Sequence, residues 1–144
     1  MPEVLLADDN PSDVYLIREA LREHSVDCAL RVVSDGREAL GIVASDAGAA
    51  DTSGIGLIIL DLNLPRHDGI EVLRTLRESG RMKGVPVVIL TSSDSPRDRV
   101  QADELGATRY LRKPSSLEEF LNLGAIFKDL LNQNEAMSHA ARSL

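Results

Sequence analysis

Tryptophan is absent, cysteine occurs once, and aromatic residues make up only 3% of the chain. Two Phe and two Tyr offer no platform for stacking bases or sugars. The lone cysteine, Cys28, cannot close an internal disulfide, and its apolar-rich stretch leads us to expect a small buried filler. Basic residues are in deficit: 16 Lys and Arg face 23 Asp and Glu, a net charge of −7. Direct nucleic-acid binding needs a basic patch and is therefore disfavoured. No apolar run approaches the roughly 18 residues of a membrane span. The start, Met1-Pro2-Glu3, has neither the basic region nor the apolar stretch of a signal peptide. These absences fit a cytoplasmic protein.

What is present is enough for one core. The chain has 144 residues, the size of one domain, and 43% of them are hydrophobic. Short apolar runs alternate with longer amphipathic stretches. Val4 to Ala7 runs into Asp8-Asp9, Ile58 to Leu60 into Asp61, and Val87 to Leu90 into Thr91. Uninterrupted runs of this length suit strands buried on both faces of a parallel sheet. Weaker runs at Ala29–Val33 and Thr108–Leu111 complete a set of five.

Helix signals fill the gaps. Asn10-Pro11-Ser12-Asp13 reads as an N-cap, a proline at the first helical position and an acid at the third. Asp35 with Glu38 opens a second helix as a capping box, and Asp68 opens a third. Ser95-Pro96 begins a fourth that stops at Leu105-Gly106. Ser115 or Ser116 caps a fifth, with Phe120, Leu123, Phe127, Leu130 and Leu131 on its apolar side. The order is five βα units, which right-handed crossovers build into an α/β, doubly wound parallel sheet. Residues 45–54 read as a long small-residue loop, residues 1–133 as the domain, and 134–144 as a loose C-terminal tail.

Ligands in such sheets bind beyond the carboxyl ends of the strands. In strand order 2-1-3-4-5, Asp8, Asp9, Asp61, Thr91 and Lys113 converge on one mouth. Crowded carboxylates repel, so they raise one another's pKa or recruit a cation. A hard divalent ion with oxygen ligands resolves the conflict, Mg2+ first and Mn2+ as the alternative. A carboxylate nucleophile, a metal, a lysine and a hydroxyl donor are what in-line phosphoryl transfer to an aspartate requires. Singly, each residue has an ordinary reading. Asp8-Asp9 can cap a helix, Asp61 can sit in a turn, Lys113-Pro114 can be a surface turn, and Tyr110 can be a half-buried strand aromatic. His24, His67 and His139 share no ligand spacing and read as surface residues. Coincidence at four neighbouring strand ends is the weaker explanation.

In order and spacing, Asp8-Asp9, Asp61-Leu62-Asn63-Leu64-Pro65 with Gly69, Thr91-Ser92, and Tyr110-Leu111-Arg112-Lys113-Pro114 resemble the receiver domain of two-component response regulators. The likeness spans residues 3 to about 132 and implies a flavodoxin-like fold. It implies that Asp61 accepts a phosphoryl group from a phosphohistidine of a sensor kinase. Asp9, Asp61 and the Asn63 carbonyl would bind Mg2+, with Asp8 orienting a metal water. Lys113 would pair with the phosphoryl group. Thr91 and Tyr110 would act as the switch, altering the face of the fourth helix, fifth strand and fifth helix. A cis bond before Pro114 is common in the family. Asn63 and Ser93 would tune phosphoryl lifetime. Leu64 stands where many relatives carry methionine, with no consequence for the chemistry.

The stretch Asp8–Val14 and the loop near residue 50 are similar to stand-alone regulators of phytochrome-type kinases, which makes a light-sensing kinase the leading partner. Such regulators often dimerise through their C-terminal side, here the face of the fourth helix, fifth strand and fifth helix; Phe120, Leu123 and Phe127 are candidates for that contact, though core burial is the competing reading. With no output domain following, signalling would run through protein contacts, by a phosphoacceptor module taking part in its own phosphorylation and dephosphorylation. A metal-dependent phosphohydrolase is the rival reading. It is disfavoured because Asn63 offers no general acid two residues after Asp61. A degenerate receiver acting as a constitutive binding module is disfavoured by the intact acidic set.

Overall fold

The computed structural model describes residues 1–43, 54–79 and 84–143, with side chains described through residue 134. The elements alternate strictly: β1 (Glu3–Ala7), α1 (Pro11–Glu23), β2 (Ala29–Val33), α2 (Gly36–Val43), β3 (Ile55–Leu60), α3 (Gly69–Glu78), β4 (Val87–Thr91), α4 (Pro96–Glu104), β5 (Arg109–Arg112) and α5 (Leu117–Ser143). The five strands are parallel, in the order β2-β1-β3-β4-β5.

Side chains alternate across each strand, so one apolar run feeds two cores. Val4 and Leu6 of β1, Leu57 and Ile59 of β3, and Val88 and Leu90 of β4 pack beneath α1 and α5 with Ile17, Leu21, Phe120 and Phe127. Leu5, Ala7, Ile58, Leu60 and Ile89 face α2, α3 and α4 with Ala39, Val43, Leu73, Leu76 and Ala102. Burial on both faces explains why β1, β3 and β4 read as unbroken hydrophobic runs.

The helix starts follow the local chemistry. Asn10 Oδ1 accepts from the Ser12 and Asp13 amides, Asp68 accepts from the Glu71 amide, and Ser95 from the Asp98 amide. Asp35 Oδ1 accepts from the Glu38 amide at 2.8 Å, while Glu38 reaches back to the Ser34 amide at 3.3 Å. Ser116 is the residue that caps α5, its Oγ accepting from the Glu119 amide at 3.2 Å.

Three boundaries differ from the sequence expectation. β3 begins at Ile55, because Ile55 and Leu57 pair with Glu3 and Val4 of β1. β5 begins at Arg109; Thr108 instead brackets Val87, donating its amide to Val87 O at 2.8 Å and accepting the Val87 amide on Oγ1 at 3.0 Å. The segment expected as a loose tail continues α5 to Ser143. It is rich in good helix formers and has no proline, so nothing local stops the helix. The loop expected over 45–54 lies outside the described residues apart from Gly54.

Candidate functional site

The mouth of the sheet is built by backbone pairing that runs past the strand ends. The Asp8 amide donates to Val33 O at 3.1 Å, the Asp61 amide to Ala7 O at 3.0 Å, and the Lys113 amide to Thr91 O at 2.8 Å. These bonds fix three side chains from distant parts of the chain over one spot. Gly69 lets α3 come in close: a Cβ there would lie 2.5 Å from the Asp61 carbonyl oxygen. Asp8, Asp61 and Thr91, at 2%, 4% and 0% exposure, are the buried polar residues among those described.

A buried carboxylate is costly unless it is paired. The partner is Lys113, whose Nζ lies 2.8 Å from Asp61 Oδ2, 3.1 Å from Asp8 Oδ2 and 2.7 Å from Asp13 Oδ2. An ammonium has three N–H donors, and three carboxylates surround it. Burial alone would lower the Lys113 pKa; its hydrogen bonds to Asp13 and Asp61 and the charges of Asp61 and Asp8 outweigh that and hold it above its ordinary value. Burial raises the Asp8 carboxyl, although the Asn10 amide and Lys113 both pull it down.

One ammonium does not balance the acids at the mouth. Asp8, Asp9 and Asp61 each present a carboxylate oxygen within 4.8 Å of one another, Asp9 from an exposed position. Hard oxygen donors at that spacing, with an excess of negative charge, fit a divalent cation. Asn63 borders the same spot. Its amide donates to Asp61 Oδ1 at 3.0 Å, and its Nδ2 donates to Thr91 Oγ1 at 3.3 Å. The Ser93 amide also donates to Thr91 Oγ1, at 3.2 Å. From there a chain leads outward. The Tyr110 hydroxyl donates to Ser93 O at 3.2 Å, and Ser93 Oγ donates to Asp98 Oδ2 at 2.7 Å. Tyr110 is half-buried, with the Arg99 guanidinium 5.5 Å from its ring centre.

Asp8, Asp9, Asp61, Asn63, Thr91 and Lys113 lie together at the mouth, and Tyr110 is linked to Thr91 through Ser93. The residue that sequence reasoning missed is Asp13. It reads locally as a first-turn helix acid, and its partner Lys113 is 100 positions away in sequence. No local signal links them. Other expectations are corrected. The bond before Pro114 is trans, as are all those described. X–Pro bonds favour trans by about 0.5–1 kcal/mol, and Lys113 reaches its carboxylates from that isomer. His24 and His67 are half-buried, and the His24 ring meets Leu121 O at 3.1 Å. Cys28 is half-buried, packed at the edge of the core, and burial raises its thiol pKa. Phe120, Leu123 and Phe127 are all core residues, at 3%, 8% and 0% exposure.

The model of the response regulator receiver domain matches residues 4–123. The chain belongs to that family. Response regulator Rcp1 of Synechocystis sp. is 32% identical over 120 residues, covering 83% of this chain and 82% of that protein. Response regulator MprA of Mycolicibacterium vanbaalenii is 40% identical over 124 residues; the match takes in 82% of this chain but only 46% of that longer protein. Among solved structures, the phosphorylated cyanobacterial phytochrome response regulator RcpA superposes with a TM-score of 0.81 at 32% identity, covering 90% of this chain and 93% of that one. The Mn2+-bound form of Rcp1 gives 0.78 at 31% identity, covering 86% and 89%. This receiver therefore has the fold of the two-component regulators and carries an acidic cluster suited to a divalent ion. No helix among the described residues is long and apolar enough to cross a membrane.

Proposed function

We propose that this receiver takes a phosphoryl group on Asp61 from a phosphohistidine of a sensor kinase, and signals by a change of shape read through protein contacts. The observation that carries the reading is the ammonium of Lys113 2.8 Å from Asp61, which itself clusters with Asp8 and Asp9 within 4.8 Å. An Asp61 oxygen forms a bond to phosphorus as the P–N bond of the donor breaks. The electron pair of that bond returns to the imidazole nitrogen, which leaves as a neutral ring when its other nitrogen carries the proton. Asp8, Asp9, Asp61 and the Asn63 carbonyl would hold Mg2+, or Mn2+ in its place; the bound ion supplies positive charge to the transferring oxygens.

The chain's own groups do the rest. Lys113 is already positioned to pair with a phosphoryl oxygen. Thr91 Oγ1 accepts from Asn63 and Ser93, so its hydroxyl proton is the part suited to donate to an incoming oxygen. The added group brings nearly two negative charges. A Thr91 shift toward them pulls on the Ser93 amide, and Ser93 O holds the Tyr110 hydroxyl. The readout surface is thus α4, β5 and α5, which is also the surface proposed for a homodimer. Ser93 and Asn63 tune how long the phosphoryl group survives.

The similarity to RcpA supports a phytochrome-type, light-sensing kinase as the partner. We place the receiver in the cytoplasm, where such kinases present their phosphohistidine, and assign residues 1–133 to it, with the last turns of α5 beyond. The test is labelling with a small phosphodonor and Mg2+. The expected result is acid-stable, base-labile label on the wild type and none on Asp61→Asn. Label of the same kind on another residue of Asp61→Asn refutes the assignment.

A further inference from the structure

Asp13 is a carboxylate that the phosphoacceptor reading leaves unused. It is not among the three clustered oxygens suited to a cation. Yet its side chain is only 17% exposed, and it makes the shortest of the three contacts to Lys113, at 2.7 Å. An acid in the first turn of a helix is stabilised by the helix dipole in any rotamer and needs no partner. Here Asn10 accepts from the Asp13 amide at 3.4 Å and Pro11 sets the first turn, so the cap aims the side chain back over the mouth.

We propose that Asp13 is a positioning residue: it draws the Lys113 ammonium to one side of the pocket and so leaves Asp8 and Asp61 able to bind a divalent cation. This rests on the phosphoacceptor reading and extends it to how the site is charged. Without Asp13, the ammonium has two carboxylates left, Asp61 Oδ2 at 2.8 Å and Asp8 Oδ2 at 3.1 Å. Both belong to the cation cluster. A lysine committed to them competes with the cation for the same carboxylates. Asp13 also adds its own negative charge near the cation. The two effects have the same sign, so loss of Asp13 weakens cation binding although Asp13 touches no cation itself. Once Asp61 carries the phosphoryl group, Asp13 keeps one N–H of Lys113, and the ammonium stays beside the phosphoryl oxygens.

The experiment is a double-mutant cycle read by Mn2+ binding, followed by spin resonance of the free ion, on the full chain without any phosphodonor. Asp13→Asn keeps shape and loses charge; the expected outcome is about tenfold weaker Mn2+ binding, most of it from the released lysine competing for Asp8 and Asp61 and the smaller part from the lost charge. Asp13→Glu should restore affinity to within about threefold. In the Lys113→Met background, Asp13→Asn should cost less than about threefold, because the lysine it restrains is gone. Asp13→Ser, which keeps a residue suited to the first helical turn, repeats the measurement should Asp13→Asn fold poorly. Unchanged affinity in Asp13→Asn, or an equal loss in both backgrounds, overturns the proposal. A wild-type chain that neither binds Mn2+ nor takes label on Asp61 would instead overturn the phosphoacceptor reading.

Discussion

Two helices on opposite faces of the sheet, α5 and α4, are held by different forces. On one face, α5 buries Phe120, Leu123, Phe127, Leu130 and Leu131 against α1, which buries Ile17, Ala20 and Leu21. The two helices are so close that a Cβ on Gly124 would lie 2.3 Å from Ala20 O. On the other face, α4 buries Ala102 alone and leaves Val100 55% exposed. Polar contacts hold it instead. Ser93 and Ser95 bind its first turn, and the Arg77 guanidinium donates to Leu105 O at 3.2 Å and Gly106 O at 2.7 Å beyond its last. Apolar burial is cumulative and non-directional, so the α1–α5 layer is a scaffold. Hydrogen bonds can be exchanged for others at little net cost, which is why we propose α4 and Tyr110 as the part that a charge at the mouth rearranges.

That contrast can be broken at several points. Phe127→Ala attacks the scaffold and should cost about 3–5 kcal/mol in denaturant unfolding. A loss below about 1 kcal/mol would mean that α5 is not the anchor. Arg77→Met should cost about 1–3 kcal/mol, since it removes a charged donor from several carbonyls. Its hydrogen-exchange effect should concentrate at the C-terminal end of α4; uniform loss of protection would remove the distinction between α4 and α5.

Lys113 is where the two halves meet, because an ammonium just beyond β5 is held by acids from β1, α1 and β3. Its folded pKa is raised above the ordinary lysine value of 10.5. The stabilisation is therefore fully present below pH 10.5 and is lost as pH rises through the higher folded value. Between the two, stability should fall by at most about 1.4 kcal/mol per pH unit on this group's account. Comparing alkaline unfolding of Lys113→Met with wild type isolates that slope, and identical slopes would contradict the ion pairing. Last and smallest, Val100→Ser on the exposed side of α4 should stay within about 0.5 kcal/mol. A larger loss would mean that Val100 is covered by something, a second copy of the chain being the first candidate to check by light scattering.

Much of this molecule is local and was therefore legible in order along the chain. The apolar runs into Asp8, Asp61 and Thr91 are strands because both faces are buried. Asn10, Asp35, Asp68 and Ser95 start helices because a side-chain oxygen satisfies amides two or three residues on. Given the strand order 2-1-3-4-5, those facts bring Asp8, Asp9, Asp61, Thr91 and Lys113 to one mouth.

Tertiary structure decided what no window of sequence contains. Asp13 became a partner of Lys113 across 100 positions. Arg77, an unremarkable last-turn base, became a clamp on the carbonyls beyond α4. Phe120, Leu123 and Phe127 proved to be core because they cover the sheet beside α1. Caps and strand runs depend on neighbours a few residues away, and sequence by itself determines them. The partner of a long charged side chain depends on which distant backbone the folded sheet brings within reach, and only the assembled fold specifies that.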